Sequence, residues 1–268
     1  MTVTEWDGRI RRAENLTGRY EFAREVLRFY RALAEFQRNL YLRVAQNRAA
    51  SQQARGSWPS EPEWTLLRPV YSSFLEHLNR IAPPPLAGVA KDFRNRAEDA
   101  VEEVLSRYWN DPMEQQFGGR DAEVFLARGL LQPYAEWLAV RLFQPPSIPA
   151  SRCPVCDRRP QAGVLRPGGG GGKRFLVCSL CSSEWEFRRI DCVNCGEDDE
   201  KKKRVYVSPE LAHARVEACD TCRTYIKSID VTKDGLAVPI VDEIALIPLD
   251  HWAQSHGYQK LQRNLLLM

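Results

Sequence analysis

The sequence has few of the features that assign a chain to a membrane, nucleic-acid or secreted class. No apolar run approaches the roughly 18 residues of a membrane-spanning helix, so we expect no membrane insertion. The formal net charge is only +3, which argues against a domain that binds nucleic acid through bulk charge. Residues 1–12 are charged and lack the apolar stretch of a signal peptide. We therefore expect a cytoplasmic protein whose thiols stay reduced.

Catalytic signatures are also absent. There is no G-x-S-x-G nucleophile motif, no G-x-G-x-x-G fingerprint and no phosphate loop, because the glycine run at 168–172 lacks the Lys-Ser/Thr ending. The histidines stand in no H-E-x-x-H or C₂H₂ arrangement, so we assign none of them to a metal: His77, His213, His251 and His256. With no recognisable nucleophile, acid–base pair or cofactor cradle, we expect a protein that is not an enzyme.

Cysteine is missing from the first 152 residues and is concentrated afterwards in four C-x-x-C pairs. Two thiols two residues apart can lie on one tight turn with both sulfurs aimed at one point. Two such turns supply the four sulfurs of a tetrahedral zinc or iron site, so the four pairs predict two metal ions per chain. The pairs are Cys153 and Cys156, Cys178 and Cys181, Cys192 and Cys195, and Cys219 and Cys222.

The cysteines have two other interpretations. Disulfides suit small secreted folds with little core, whereas this chain has 268 residues and a long segment without cysteine. A thioredoxin-like dithiol needs one C-x-x-C on a βαβ scaffold, whereas four pairs favour metal ligation.

The spacing favours a sequential grouping of the pairs. The gaps between successive pairs are 21, 10 and 23 residues, and two long gaps fit two tandem ribbons of the rubredoxin type. The first site would then be Cys153, Cys156, Cys178 and Cys181, and the second Cys192, Cys195, Cys219 and Cys222. An interlaced grouping, first pair with third and second with fourth, stays open. The glycines at 168–172 would form a flexible loop tip.

Residues 1–150 are predicted to form an all-helical domain of four or five helices. Apolar residues recur at gaps of mostly three and four, typical of one buried helix face: Phe22, Val26, Phe29, Leu33, Phe36, Leu40 and Val44. A break at 56–63 precedes a helix at 64–81, with a kink or start at Pro69. Further helices are expected at 86–109 and from Asp121 to 142, with Asp121 as N-cap and Pro133 as a candidate break.

After residue 150 the pattern changes to short segments rich in β-branched and aromatic residues. Strands are predicted at 175–177, 184–190, 204–207, 214–217 and 224–231, and the charged run at 197–204 is expected to form a solvated hairpin tip. Residues 238–268 are predicted to be helical. The fold class is therefore α+β, with a helical domain at 1–150, a four-cysteine ribbon at 151–190, and a second ribbon with a helical tail at 191–268.

The cysteine region resembles the formate dehydrogenase accessory protein family, FdhE. The matching motifs are C-P-x-C from Cys153, C-x-x-C-x-x-x-W ending at Trp185, R-x-x-C-x-x-C-G from Arg189, and C-x-x-C-x-x-Y-x-K ending at Lys227. The tail also matches, at Val241-Asp242-Glu243, Leu249-Asp250 and residues 257–261.

The resemblance implies a cytoplasmic assembly factor that binds the catalytic subunit of a molybdenum or tungsten formate dehydrogenase. It also implies rubredoxin-like metal sites, so the cofactors would be two ions of iron or zinc. One departure concerns Asp157, which stands where a rubredoxin knuckle usually has glycine. The absence of glycine there weakens the expectation of a strict knuckle.

Two alternative functions remain. One is a zinc-ribbon module for nucleic acid, with Trp185 and Tyr206 stacking on bases and six basic residues contacting phosphates: Arg188, Arg189, Lys201, Lys202, Lys203 and Arg204. The other is a thiol-based redox chaperone that releases metal on oxidation.

Overall fold

The computed structural model describes residues 3–48, 57–168 and 172–268. Gly56 and three glycines of the predicted loop tip, residues 169–171, lie outside these ranges. The α+β fold class is confirmed, with a helical layer followed by a sheet. The helices of the first layer are α1 Val3–Arg19, α2 Arg24–Arg48, α3 Trp64–Leu67, α4 Tyr71–Ile81, α5 Pro84–Arg94, α6 Glu98–Asn110 and α7 Asp121–Leu142.

The predicted apolar stripe falls mainly on α2, but its extent was partly wrong. Leu33, Leu40 and Val44 are buried as expected. Phe22 instead lies in the 3₁₀ turn Glu21–Ala23 before α2 and is 53% exposed. The buried face also includes residues outside the predicted stripe, namely Leu27, Tyr30, Ala34 and Tyr41.

Prolines interrupt the helical layer at one predicted position and not at another. The helix expected at 64–81 is interrupted by the 3₁₀ turn Arg68–Val70, which contains Pro69. Pro133, by contrast, lies inside the continuous helix α7. A proline cannot donate to the carbonyl four residues earlier, and here Gln37 Nε2 donates to that carbonyl, Gly129 O, at 2.8 Å. The orphaned backbone acceptor is thereby satisfied from α2, and the helix continues.

Two other helical predictions were wrong in detail, and one helix was not predicted individually. The single helix expected at 86–109 is two helices, α5 and α6, separated by residues 95–97. Asp121 is the first residue of α7, and Arg120 precedes it as the cap residue. Helix α1 was not predicted, because its buried face includes Arg9 and Arg12 and so does not look apolar in the sequence.

The two cysteine ribbons share one sheet. Its strands are β1 Pro160–Arg166, β2 Lys173–Cys178, β3 Glu184–Glu186, β4 Lys203–Tyr206, β5 Ala214–Cys219, β6 Thr224–Asp230 and β7 Gln259–Lys260. The order is β3-β2-β1-β6-β5-β4, with β7 also paired to β6. Strand β1 was not predicted, and its parallel pairing with β6 joins the two ribbons.

The parallel seam between β1 and β6 depends on a close approach at one glycine. A Cβ on Gly163 would lie 2.2 Å from Ser228 Oγ, the side chain of its partner in the register. Real Cβ atoms do not approach oxygen so closely, so this position requires glycine. One apolar cluster runs from Trp6 through the first four cysteines to Leu265. The division at residues 150 and 190 stays a prediction.

The tail contains two helices, as expected, and ends in an unpredicted strand. Helices α8 Pro239–Ala245 and α9 Ile247–Ser255 precede β7. Helix α8 joins the helical layer to the sheet through Asp242, which is fully buried. Its carboxylate accepts from Arg12 Nε of α1 at 3.0 Å and lies 3.0 Å from His213 Nε2. None of the described helices has the combined length and apolarity that crossing a bilayer requires.

The Arg12–Asp242 contact leads to a test of how the layers are joined. In Arg12→Ala the Asp242 carboxylate stays buried without its guanidinium, and breaking a buried pair in this way costs about 3–5 kcal/mol. We expect a loss near the lower figure in the free energy of unfolding, because Val238 N–H still donates to Asp242 at 2.7 Å. Urea unfolding of the metal-loaded protein, followed by circular dichroism, measures it.

Arg31→Ala is the matched control. Arg31 pairs with Glu14 and Glu35 on an exposed surface, where such a pair contributes less than about 1 kcal/mol. Equal losses in the two variants would contradict a joining role for Arg12.

Candidate metal centres

Each C-x-x-C pair forms a tight turn followed by a residue with positive φ. That residue is Asp157 (φ 57°), Ser182 (φ 56°), Gly196 (φ 75°) or Arg223 (φ 56°). In three turns its N–H donates to the carbonyl of the first cysteine, at 3.0 Å for Asp157, 2.9 Å for Gly196 and 2.9 Å for Arg223. The turn brings the two sulfurs of a pair to the same side.

The sequence analysis expects the absence of glycine at Asp157 to weaken the first knuckle. The backbone conformation at this position contradicts that expectation. Asp157, Ser182 and Arg223 all adopt the left-handed conformation that glycine adopts most easily. Such a conformation costs a non-glycine residue about 1–2 kcal/mol, so the surrounding contacts must hold it. At the first knuckle, Cys153 N–H also donates to Arg158 O at 2.9 Å, which closes the turn from outside.

The first cysteine cluster is Cys153, Cys156, Cys178 and Cys181, and all four side chains are buried. The Sγ–Sγ distances are 3.5 Å for Cys153–Cys181, 3.3 Å for Cys156–Cys178 and 3.6 Å for Cys156–Cys181. A disulfide needs about 2.05 Å, so the thiols are free. A tetrahedron of Zn–S bonds of about 2.3 Å places its sulfurs about 3.8 Å apart, close to the distances found.

Backbone amides and burial set the electrostatics of the first cluster. Val155 N–H donates to Cys153 Sγ and Leu180 N–H to Cys178 Sγ, both at 3.4 Å. Burial, followed by contact with the other thiols, raises the pKa of Cys153 and of Cys181. Four thiolates therefore need a cation between them to exist at neutral pH.

The second cysteine cluster is Cys192, Cys195, Cys219 and Cys222. Its Sγ–Sγ distances are 3.6 Å for Cys192–Cys222 and 3.8 Å for Cys195–Cys219. Unlike the first cluster it reaches the surface, because Cys195 is exposed and Cys222 is half-buried. Burial tends to raise the pKa of Cys222, but hydrogen bonds, foremost from the Thr224 hydroxyl, outweigh it and lower the pKa to about 6.

The structure groups the first cysteine pair with the second and the third pair with the fourth, which is the sequential grouping. Within each cluster the four sulfur atoms lie within 4.8 Å of one another, whereas an interlaced grouping would mix the two clusters. The donor set fits a tetrahedral metal ion, and both Zn²⁺ and iron accept four thiolates. The role of the eight cysteines as ligands stays a prediction.

A third group of potential ligands contains His213, Asp234 and Asp242. The sequence analysis assigned no metal to His213, and the geometry offers another explanation for this group. Arg12 Nη2 lies 2.7 Å from Asp234 Oδ2, and Arg12 also hydrogen-bonds Asp242. A guanidinium therefore already supplies the positive charge, and the group is an ion-pair network between α1, α8 and the sheet.

Several residues of the FdhE-like motifs are structural supports of the second cluster. Tyr225 and Lys227 follow its last cysteine on β6, and both contact Asp250: Tyr225 OH at 2.8 Å and Lys227 Nζ at 2.5 Å. Lys227 also lies 3.0 Å from Glu243, which pairs with Lys260. This buried network attaches the tail to the strand that leaves the last knuckle. Periodicity alone did not predict it, although the quoted motifs contain its members.

Comparison with known proteins finds similarity to the FdhE family over the cysteine region and the tail. Residues 152–189 match the model of the FdhE central domain, and residues 177–267 match the model of the FdhE C-terminal domain. An FdhE homologue of Aquifex aeolicus is 41% identical over 115 residues, which are 42% of this chain and 41% of the relative. One of Haemophilus influenzae is 37% identical over 108 residues, covering 40% and 35%. These matches span less than half of each relative.

Longer matches are weaker in sequence but cover the helical layer. An FdhE homologue of Pectobacterium atrosepticum is 28% identical over 216 residues, which are 78% of this chain and 67% of the relative. The crystal structure of the FdhE protein from Pseudomonas aeruginosa has a TM-score of 0.75 and 23% identity, over 100% of this chain and 97% of that one. The last likeness shows the fold. The resemblance to the FdhE family is therefore confirmed.

The different exposure of the two cysteine clusters predicts two rates of metal loss. When zinc-loaded protein is mixed with excess chromogenic chelator, we expect one ion to leave at least about tenfold faster than the other, because a partly exposed site opens more readily than a buried one. The absorbance of the zinc–chelator complex measures both phases.

Cys195→Ser identifies the fast phase, since it alters the exposed thiol of the second cluster and nothing in the first. We expect this variant to lose the fast phase and keep the slow one. Release of both ions in a single phase, or loss of the slow phase in Cys195→Ser, would contradict the assignment.

The positive φ at Asp157 predicts that glycine stabilises the first knuckle. We expect Asp157→Gly to raise the free energy of unfolding by up to about 1 kcal/mol, because glycine adopts φ 57° without steric cost. The lost ion pair with Arg152 is exposed and contributes little. Urea unfolding at saturating zinc measures the change.

Asp198→Gly is the control for this substitution. Asp198 is exposed and is not among the positive-φ residues, so glycine there should lower stability through the unfolded state by about 0.4–1 kcal/mol. A destabilised Asp157→Gly would show that the carboxylate, and not the backbone, matters at this turn.

Proposed function

We propose that this chain is an assembly factor that binds the catalytic subunit of a formate dehydrogenase and is needed for its activity. The observation that carries the proposal is the FdhE resemblance, which covers both cysteine clusters and the tail. The fold of an FdhE protein extends over the whole chain, which supports a function that uses the helical layer as well.

We propose a structural role for the metal ions, iron or zinc, with the eight cysteines as their ligands. Four thiolates fill a tetrahedral coordination sphere and leave no position for water or substrate. Such an ion stabilises the fold by its binding free energy and does not need to take part in a reaction. We therefore propose that the chain binds a client protein and is not an enzyme, and that it works in the cytoplasm, where thiols stay reduced.

The nucleic-acid alternative loses its main contacts in the structure. Trp185 is only 1% exposed, and its Nε1 donates to Ala150 O at 2.7 Å, so it is not free to stack on a base. The basic residues face acids at Arg188–Asp191, Lys202–Glu197 and Arg204–Asp220. A phosphate would have to displace these partners.

A thiol-based redox chaperone remains as the second candidate, because the second cluster exposes Cys195 and half-exposes Cys222. Oxidation needs access to sulfur, and all four cysteines of the first cluster are buried. Retention of both metal ions under mild peroxide would speak against this candidate.

Co-purification tests the main proposal. We expect the tagged chain, isolated from anaerobically grown cells of its own source, to carry a formate dehydrogenase catalytic subunit and about two metal ions per chain. Mass spectrometry of the eluted fractions and metal analysis of the same fractions measure both. Deletion of the gene should lower formate dehydrogenase activity, and a plasmid copy should restore it.

A chain with its two metals but without the catalytic subunit would refute the proposed client. A chain without metal would refute the proposed ligands. The two parts of the proposal are therefore separable in one preparation.

A further inference from the structure

An apolar groove of about 390 Å³ lies between helices α2, α5 and α7 and the tail that follows β7. All of its lining residues are apolar except Asp121, and Asp121 is paired with Arg263. The groove therefore offers no unpaired charge, and an apolar group is what fits it. Its volume lies within the range of binding sites, and the proposed metal chemistry does not use it.

One wall of the groove is held in place by the buried side chain of Asn264. Its Oδ1 accepts from Leu266 N–H at 2.9 Å and from Met268 N–H at 3.2 Å. Its Nδ2 donates to Glu243 Oε2 at 2.7 Å. Leu267 adopts φ 62°, a conformation that is costly for a residue other than glycine. These contacts fix the tail, so the groove is already formed in the free chain.

An exposed phenylalanine lies next to this groove along the chain. Phe22 is in the 3₁₀ turn before α2, is 53% exposed and does not belong to the lining. Val26 and Phe29, which line the groove, follow it by four and seven residues, the spacing of one helix face. The exposed ring is therefore about one helical turn, roughly 5–6 Å along the axis, from an apolar groove. A two-fold axis between the two features would place the ring of each copy at the groove of the other.

The charges beside these apolar residues are self-complementary as well. Glu25 and Arg28 are exposed on α2. Neither has an ion-pair partner among the described residues, whereas Arg24 and Arg31 beside them do. Glu25 and Arg28 are three residues apart and are neighbours on the helix surface. In an antiparallel pair of α2 helices related by an axis near Val26, Glu25 of each copy faces Arg28 of the other, which gives two ion pairs.

We propose that this face of α2 forms the interface of a homodimer, in which Phe22 of each copy packs into the apolar groove of the other. The register that pairs Glu25 with Arg28 also brings Phe22 to within about 3 Å, along the helix axis, of Phe29 in the other copy. The ring, the groove and the charges therefore agree in one register. The groove of a single copy is incomplete, because the second copy supplies the side chain that fills it. The inference goes beyond the proposed function and does not depend on it.

Sedimentation equilibrium of the zinc-loaded full chain tests the dimer. We expect the mass to rise from one chain towards two between about 1 and 100 µM, because an interface with a few well-packed contact residues has a dissociation constant in this range. A reducing agent keeps the exposed Cys195 from forming an intermolecular disulfide. A chain that stays monomeric over the whole range would overturn the proposal.

Phe22→Ser and Ile148→Ser are the matched variants. Ile148 lies in the segment between α7 and β1 and is 75% exposed, so each variant removes an exposed apolar side chain and leaves the core intact. We expect Phe22→Ser to weaken dimerisation at least about tenfold, because both copies lose the side chain that fills the groove. Ile148→Ser should dimerise as the wild type does. Equal dissociation constants for the two variants would contradict the interface.

Charge reversal tests the register. In Glu25→Arg two arginines face each other at both expected ion pairs, and we expect the dissociation constant to rise at least about fivefold at low salt. In Glu25→Arg combined with Arg28→Glu the pairs form again with opposite sign, and the constant should return to within about twofold of the wild-type value. A general disturbance of α2 would not be repaired by a second substitution. A double variant that dimerises no better than Glu25→Arg would overturn the proposed pairing.

Discussion

The structure depends on the convergence of eight cysteine sulfurs in two close clusters. Without a cation, burial raises the pKa of Cys153 and Cys181. Burial also opposes ionisation of Cys178, but hydrogen bonds from the other thiols outweigh it and lower the pKa of Cys178, so the first cluster favours fewer than four thiolates. With a cation, four thiolates and the ion form one compact unit, and its binding free energy becomes folding free energy. The same turns recur in all four knuckles, three of them with a non-glycine residue at positive φ. Local backbone strain is therefore accepted in three of the four knuckles so that the sulfurs converge.

The topology ties the two clusters to one another. β1 begins shortly after the first knuckle and β6 shortly after the fourth, while β2 and β5 end at Cys178 and Cys219. Because β1 and β6 run parallel and each pairs antiparallel with its own hairpin partner, both clusters lie at the same end of the sheet. At the seam, Gly163 and Ser228 are register partners in close contact, so the two ribbons are continuous in one sheet. The two ribbons, which the sequence predicts as separate units, therefore share one sheet.

The grouping of the cysteines could be predicted from the sequence because spacing constrains which turns can meet. Strand β1 could not, since its segment contains proline, glycine and glutamine and becomes a strand only through partners on both sides, β2 and β6. The continuity of α7 through Pro133 could not be predicted either. The donor that replaces the lost backbone bond is Gln37, which lies 96 residues before Pro133 in the chain. Helix α1 was missed because two arginines occupy its buried face. In each case a distant partner overrides the local pattern.

Two buried carboxylates, Asp242 and Glu136, show how the helical layer is held to its neighbours. A buried pair adds little net stability and acts mainly on orientation, because each charge is costly without its partner. At Asp242 both oxygens accept hydrogen bonds, from Arg12 and from Val238 N–H, so the pair is complete and fixes α1 against α8. At Glu136 three donors converge on one oxygen, while the second faces no donor among the described residues. In both cases the guanidinium comes from α1, Arg9 for Glu136 and Arg12 for Asp242, so these two buried pairs attach the first helix to its neighbours on either side.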